Sequence, residues 1–394
     1  MKFGENFKNL MPSFTMDVVV AGVGIAGAFA LRALDKSLDV VGIDKREKLG
    51  YPVECGEIIP TKREMKALLP DLDDYSLFDI PKRFESNLTK EVHFVLPNGK
   101  TFEIDFEFHV VRRDEMIQTI AEESSHKLLL NKRIKAFRDG KIVLEEGEVG
   151  AEVYVASDGP NSKIARSLGM PKPELSPAKQ YVMKGVECNE DVVYMYIGRK
   201  ISPGAYAWII PKGKGVANVG IGFRPEYASR GDTIVKALDH FVREYPYSSP
   251  FLKDAEVVSS IGAVVPIDRP FESAVKGNVL FAGDAASMVI SHVGGGIPTA
   301  MVAGDAAARV INGFFNGEND LQLYDSLWKK YLYKPLMNAY TIKRIWDRFS
   351  DSDDKVSRLL SLASNADMNK ILRCRIPLKI KLLSPFLPIV QKLI

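Results

Sequence analysis

Residues 18–47 read VVVAGVGIAGAFALRALDKSLDVVGIDKRE. The apolar, β-branched run over residues 17–21 predicts a buried strand. Residues 25–35 predict a helix rich in Ala and Leu, and residues 40–43 a second buried strand. Between the first strand and the helix stands Gly22-Val-Gly24-Ile-Ala-Gly27, a G-x-G-x-x-G, and Asp44 follows Gly22 by 22 residues at the end of the second strand. That spacing suits a dinucleotide. The first glycine permits the tight turn, the second lets backbone approach a pyrophosphate, and the third lets helix and strand pack closely. The helix start offers free N–H groups and a positive dipole end to phosphates. The Asp44 carboxylate can accept hydrogen bonds from ribose hydroxyls and repels a 2′-phosphate, which argues against NADP. By itself the motif leaves NAD and FAD both open.

The chain has 394 residues, 46% apolar and 26% charged. This is the composition of a globular protein with more than one core. A net charge of +3 does not point to nucleic acid, and no such partner is expected. Cys55, Cys188 and Cys374 form no CxxC pair, and the five histidines are scattered. Neither a disulfide framework nor a metal site is expected, and a reducing, cytoplasmic setting follows. Residues 1–16 do not read as a signal peptide, and no window reaches ~18 uninterrupted apolar residues. The tail, residues 373–394, mixes aliphatics with five basic residues and no acid. It reads either as a surface that meets anionic headgroups at the inner face of the membrane, or as a packed helix with lysines at its rim. Pro377, Pro385 and Pro388 interrupt it.

Outward from the opening stretch, residues 92–97 and 100–106 predict a hairpin about Asn98-Gly99. A helix is expected over 114–127 and a buried strand over 153–157. From about 171 to 266 β-rich runs dominate, interrupted by a helix at 234–246. This predicts a mainly antiparallel sheet with helices on one side. The buried-strand pattern returns at residue 279, a long helix covers 298–312, and the chain is helical from 321, with Trp328, Tyr331, Trp346 and Phe349 as core candidates.

Two later blocks bear on the cofactor. Residues 153–166, VYVASDGPNSKIAR, end a strand at Asp158-Gly159. Residues 279–304, VLFAGDAASMVISHVGGGIPTAMVAG, carry Gly283-Asp284, then Gly294-Gly295-Gly296, then a helix opened by Pro298. These blocks resemble FAD enzymes of the para-hydroxybenzoate hydroxylase fold. The resemblance implies an α/β (α+β overall) architecture with a Rossmann-like FAD-binding domain. It places Asp284 on the ribityl chain and Asp158 and Gly159 beside the cofactor. VVRRDEM, residues 110–116, resembles the family's arginine at the FAD pyrophosphate, which puts Arg113 there, with Arg112 as the alternative. Three consecutive glycines let a backbone lie against a flat ring. The helix behind them aims N–H groups where a reduced flavin carries negative charge.

Residues 51–57, YPVECGE, and 202–222, SPGAYAWIIPKGKGVANVGIG, resemble geranylgeranyl reductases, which saturate isoprenoid double bonds of membrane lipids. The family pattern P-x-x-Y-x-W-x-F-P-x-G is met with Ile210 in place of phenylalanine. The resemblance implies FAD as cofactor and a polyprenyl lipid as substrate. Its cofactor contacts are Gly22, Gly24, Ala26, Gly27, Asp44, Lys45, Cys55, Gly56, Arg113, Asp158, Gly159, Gly283, Asp284, Gly294, Gly295, Gly296 and Ile297. Cys55, Tyr206 and Trp208 are the candidate catalytic residues. Tyr206 and Trp208, two apart on a strand, share a face and either wall a lipid channel or fill an ordinary core. Glu57 and His292 are further candidates beside the cofactor, with capping and packing as their plainer roles. No second G-x-G-x-x-G and no cysteine cluster identifies the electron donor, so ferredoxin, NAD(P)H and a deazaflavin all stay open.

The expected organisation is a discontinuous FAD-binding domain (residues 1–90, 109–166 and 267–320). An antiparallel-sheet substrate domain (91–108 and 167–266) and a helical C-terminal region (321–394) complete it. An aromatic monooxygenase or halogenase of the same fold is the competing enzyme. A halogenase is expected to carry W-x-W-x-I-P, and AYAWIIP has one tryptophan. A prenyl-lipid or flavin carrier is the non-enzymatic alternative.

Overall fold

Val18, Val19, Val20 and Ala21 have no exposed surface, and their strand, Thr15–Ala21, lies inside an eight-stranded sheet. The structure, a computed structural model, describes residues 15–383; residues 1–14 and the tail beyond 383, with Pro385 and Pro388, lie outside the described residues. Thr15–Ala21 pairs in parallel with Val40–Ile43 on one side and Glu148–Ala156 on the other. Val279–Phe281 and Lys127–Leu129 extend the parallel set. A parallel sheet must be covered on both faces, which explains its near-continuous Val and Ile runs. Helices Ile25–Ala33 and Ile297–Phe315 supply part of that cover. They lie so close that a Cβ on Gly304 would stand 2.1 Å from the Ala26 carbonyl oxygen.

The second sheet also has eight strands, in the order Glu256–Pro266, Leu175–Lys184, Val216–Gly222, Ala207–Gly213, Val192–Tyr196, Glu85–Val95, Thr101–Val111, Ile58–Pro60. All neighbours run antiparallel except Val192–Tyr196 and Glu85–Val95, which are parallel. The hairpin reaches further than residues 92–106 in both directions. Register shifts at Glu85/Asn87 and Thr89/Glu91 break the alternation by which a strand is recognised in sequence. The helix after it, Arg113–Glu123, is shorter than expected, and Ile297–Phe315 is longer.

Helices cover both faces of this sheet, not one. Val192–Tyr196 is buried at all five positions. Tyr194 and Tyr196 pack toward helix Ile234–Arg243 with Leu238 and Phe241. Val193 and Met195 pack toward the hairpin phenylalanines and the C-terminal helices with Phe349, Leu360 and Met368. A strand with alternate residues in two cores reads as one apolar run, so the sequence does not reveal how many layers flank it. Trp328 and Tyr331 join the core of the parallel sheet and Phe349 that of the second sheet, while Trp346 stays half-buried and lines a cavity.

Candidate active site

The two sheets enclose a cavity of about 1320 Å³. Pockets for a single drug-sized ligand measure roughly 300–1000 Å³, so this cavity has room for a cofactor and a second molecule. The parallel sheet contributes its glycine turns. Gly22 has φ 92°, and a Cβ there would meet the Ser157 carbonyl oxygen at 2.4 Å. Gly27 does not line the cavity; its missing side chain lets the helix sit on the Gly22 carbonyl, 2.0 Å from where a Cβ would be. At Gly24 and Gly159 a Cβ would meet nothing within 4 Å, so both turns face open space.

Asp44 is buried and has both oxygens engaged: Oδ2 accepts from the Val23 amide (2.9 Å) and Oδ1 from the Arg46 amide (2.8 Å). It therefore ties the glycine turn to the end of the neighbouring strand, with one lone pair per oxygen left for a ribose. Lys45 stands beside it at the rim. Asp158 accepts from the Lys163 amide (2.7 Å) through Oδ2, while its buried Oδ1 has no partner, and burial raises its pKa.

Arg113, not Arg112, enters the cavity. The Arg112 guanidinium turns to Glu115 (2.8 Å) and to the Arg83 and Glu85 carbonyls. Arg113 lines the cavity and its buried Nε has no partner. Asp284 feels the Arg113 charge, yet burial dominates and pushes its pKa up to about 6. Gly296 sits directly over this carboxylate, 3.1 Å from Oδ1 to an added Cβ. Gly294 takes a left-handed φ of 63°, Gly295 pairs with Ile290, and Ile297 opens the helix behind them. Gly283, Ala26 and Gly56 line the same space.

This set of groups fits a flavin dinucleotide. Two open glycine turns, an unpartnered arginine nitrogen and an unpartnered carboxylate oxygen line one cavity, and a glycine loop backed by a helix start completes it. Phosphates, ribityl hydroxyls and a flat ring are the groups that would complete those partners.

The second sheet contributes side chains. Tyr206 is held in the site, and its hydroxyl donates to the Val293 carbonyl (2.6 Å), immediately before the triple glycine. Trp208 lies 5.7 Å from it, centroid to centroid, and its indole N–H donates to Gln180 Oε1 (3.0 Å). Gln180 Nε2 donates in turn to the Cys55 carbonyl (2.9 Å). Asn218 Nδ2 donates to the Gly56 carbonyl (3.1 Å) and to Glu57 Oε2 (3.0 Å), which Lys212 also holds. The Arg113 amide donates to Glu57 Oε1 (3.3 Å). These bonds hold Glu57 at φ 64°, a left-handed conformation costing roughly 1–2 kcal/mol for a residue with a side chain. The Glu57 amide donates to Cys55 Sγ (3.2 Å), and burial pushes the Cys55 thiol pKa up, against the Arg113 charge, so the thiol keeps its proton at neutral pH. Glu57 is thus a buried anchor. Burial pulls the His292 pKa down to about 4, against the backbone of Ile371, leaving the ring neutral.

Gln180, Asn218 and Lys212 were not identified from sequence. Lys212 lies inside the P-x-G of the aromatic motif and so was within reach of pattern reading; Gln180 and Asn218 carry no local signal. The far wall was also missed. Phe94, Phe106 and Phe108 of the hairpin line it together with Leu360, Met368 and Ile371 of the C-terminal helices.

Residues 174–265 match the family model of the geranylgeranyl reductase catalytic domain. A digeranylgeranylglycerophospholipid reductase of Methanopyrus kandleri is 30% identical over 379 residues, covering 91% of this chain and 92% of that protein. Among solved structures, a geranylgeranyl bacteriochlorophyll reductase-like protein of Thermoplasma acidophilum superposes with a TM-score of 0.78. It is 24% identical and covers 94% of this chain and 99% of the other. A flavin-dependent brominase shares the fold at TM-score 0.67 and 19% identity, over 91% of this chain and 94% of its own. The fold is thus one used by flavin-dependent oxidoreductases. Within it, the chain belongs to the geranylgeranyl reductase family.

Proposed function

We propose that the protein is an FAD-dependent reductase that saturates carbon–carbon double bonds in the geranylgeranyl chains of membrane lipids. The observation that carries this reading is the join between an apolar, aromatic-walled cavity and glycine turns lined by unpartnered polar atoms. Arg113, Asp284 and the Gly294–Gly296 loop would hold a flavin, which when reduced would supply the hydride. The residues of the chain do the rest. Tyr206, Trp208 and the hairpin phenylalanines hold an isoprenoid flat and exclude water. Cys55 holds a proton at Sγ, which its burial favours. The Tyr206 proton is committed to the Val293 carbonyl, so Tyr206 serves the wall and Cys55 is the better proton source.

The single tryptophan of the AYAWIIP strand and the family membership favour reduction over aromatic hydroxylation or halogenation. Ferredoxin, NAD(P)H and a deazaflavin are the candidate electron donors. The division into a discontinuous FAD-binding domain, a substrate domain and a helical C-terminal region belongs to the same proposal.

We further infer work at the cytoplasmic face of the membrane. Pro377, Lys379 and Ile380 line the mouth of the cavity, and Leu362 (62% exposed) and Leu378 (67%) stand out from the C-terminal helices. Among the described residues no helix is long and apolar enough to cross a membrane. The test is mass spectrometry of lipid extracted from purified, FAD-loaded protein before and after chemical reduction. Gains of two hydrogens per step on an isoprenoid are expected. An unchanged lipid on a reduced protein would favour a carrier instead.

A further inference from the structure

Gln180, Gly220 and Trp208 lie in one row across three neighbouring strands: Gln180 pairs with Gly220, and Gly220 with Trp208. Residues directly opposite each other share a face of the sheet. Two strands apart means roughly 10 Å between backbones, too far for most side chains to meet over an intervening residue. Here the middle residue is glycine. A Cβ on Gly220 would stand 2.4 Å from Trp208 Cζ2, so the indole lies across the glycine and reaches the Gln180 amide. That amide is buried and lines the cavity. Its two ends meet partners with no freedom of role: the indole N–H only donates, and the Cys55 carbonyl only accepts. Among neutral side chains of this length, only glutamine offers an acceptor and a donor in that order.

We propose that Gln180 is a positioning residue that couples the ring of Trp208, in the substrate wall, to the backbone of Cys55. Through it the wall that holds the alkene and the loop that holds the thiol keep one spacing. The role builds on the reading of the cavity as an isoprenoid reductase site, but the relay itself is a property of the chain. A small misplacement of reacting groups lowers turnover far more than binding.

Three variants test it. Gln180→Glu is nearly isosteric. Ionised, it accepts from Trp208 but cannot donate to the Cys55 carbonyl; protonated, it restores both bonds. Cys55, Glu57, Lys212 and Arg113 surround the same segment in parent and variant alike, so the ratio of the two isolates residue 180. The turnover of Gln180→Glu relative to parent should rise by roughly 10-fold from pH ~8 to ~6, with KM within about 2-fold. Gln180→Leu should lower kcat by roughly 10-fold, and Gln180→Leu with Trp208→Phe should lose little more than the worse single variant. Independent of activity, ¹⁵N-tryptophan labelling of flavin-free protein gives an indole resonance for Trp208, assigned by its loss in Trp208→Phe. It should move upfield in Gln180→Leu but not in Gln180→Glu, whose carboxyl oxygen accepts the indole N–H in either protonation state. An indole resonance unmoved in Gln180→Leu, a Gln180→Leu variant with parental kcat, or losses that multiply in the double variant would each overturn the relay. A moved resonance in protein that reduces no isoprenoid would keep the relay and sink the substrate reading instead.

Discussion

The two sheets meet the same cavity with opposite materials. The parallel sheet presents backbone: at Gly22, Gly24, Gly159 and Gly294–Gly296 the chain itself lines the cavity. The second sheet presents side chains, each with its polar end tied to a loop of the other half: Tyr206 to Val293, Gln180 to Cys55, Asn218 to Gly56. The difference teaches how each half tolerates change. At Gly22 the tightly packed backbone admits no added atom, whereas a side-chain site can be altered one hydrogen bond at a time.

The largest test of that contrast is Gly27→Ala. Its Cβ would stand 2.0 Å from the Gly22 carbonyl oxygen, so helix and strand must separate. We expect a destabilisation of roughly 1–3 kcal/mol or more in urea titration, and FAD uptake weakened beyond ~100-fold. An alanine variant that binds FAD like the parent would break the claim that this half is built of backbone. Arg113→Ala should weaken FAD binding by roughly 10–100-fold through one lost charged contact, and Arg112→Ala by less than ~2-fold. Equal effects of the two would mean the cavity-facing arginine is misassigned. Tyr206→Phe leaves the Val293 carbonyl without its donor, worth about 1–3 kcal/mol. Turnover should fall by about 10-fold while FAD affinity, read by flavin fluorescence, stays within ~3-fold.

A subtler test uses pH on flavin-free protein. Folding lowers the His292 pKa from 6.5 to about 4, so stability is lost as pH falls through that interval, where the unfolded chain takes the proton more readily. Folding raises the Asp284 pKa from 3.8 to about 6, so stability is gained over nearly the same interval. In the parent the two largely cancel. Asp284→Asn should therefore uncover a loss of about 1–3 kcal/mol between pH ~6.5 and ~4 in urea unfolding. Parallel curves for parent and variant would remove one or both groups from the account. The smallest effect is expected at the cavity mouth, where Leu378→Glu should lower binding to anionic vesicles by about 3-fold.

Much of the glycine-turn side of the cavity was readable because its signals are local. The turn, the helix start and the acid of residues 22–44 lie within one βαβ unit. Gly283-Asp284 and the triple glycine likewise stand beside their own strand and helix. Pattern reading reached Tyr206 and Trp208 through a motif, yet it could not say what their polar ends touch. It preferred Arg113 while keeping Arg112 as the alternative, and it placed helices on one face of a sheet covered on both.

Amino-acid order alone thus determined the dinucleotide-type turn, the fold class and the family pattern, because each depends on contacts between residues near in the chain. Only the tertiary structure decided that Gln180 joins Trp208 to Cys55 and that Lys212 and Asn218 hold Glu57. It alone also showed the Asp44 carboxylate holding two backbone amides, and the C-terminal helices forming the far wall. Those pairings are set by strand register and by which layers stack, and a hydrogen-bond partner 125 or 155 residues away leaves no periodic trace in sequence.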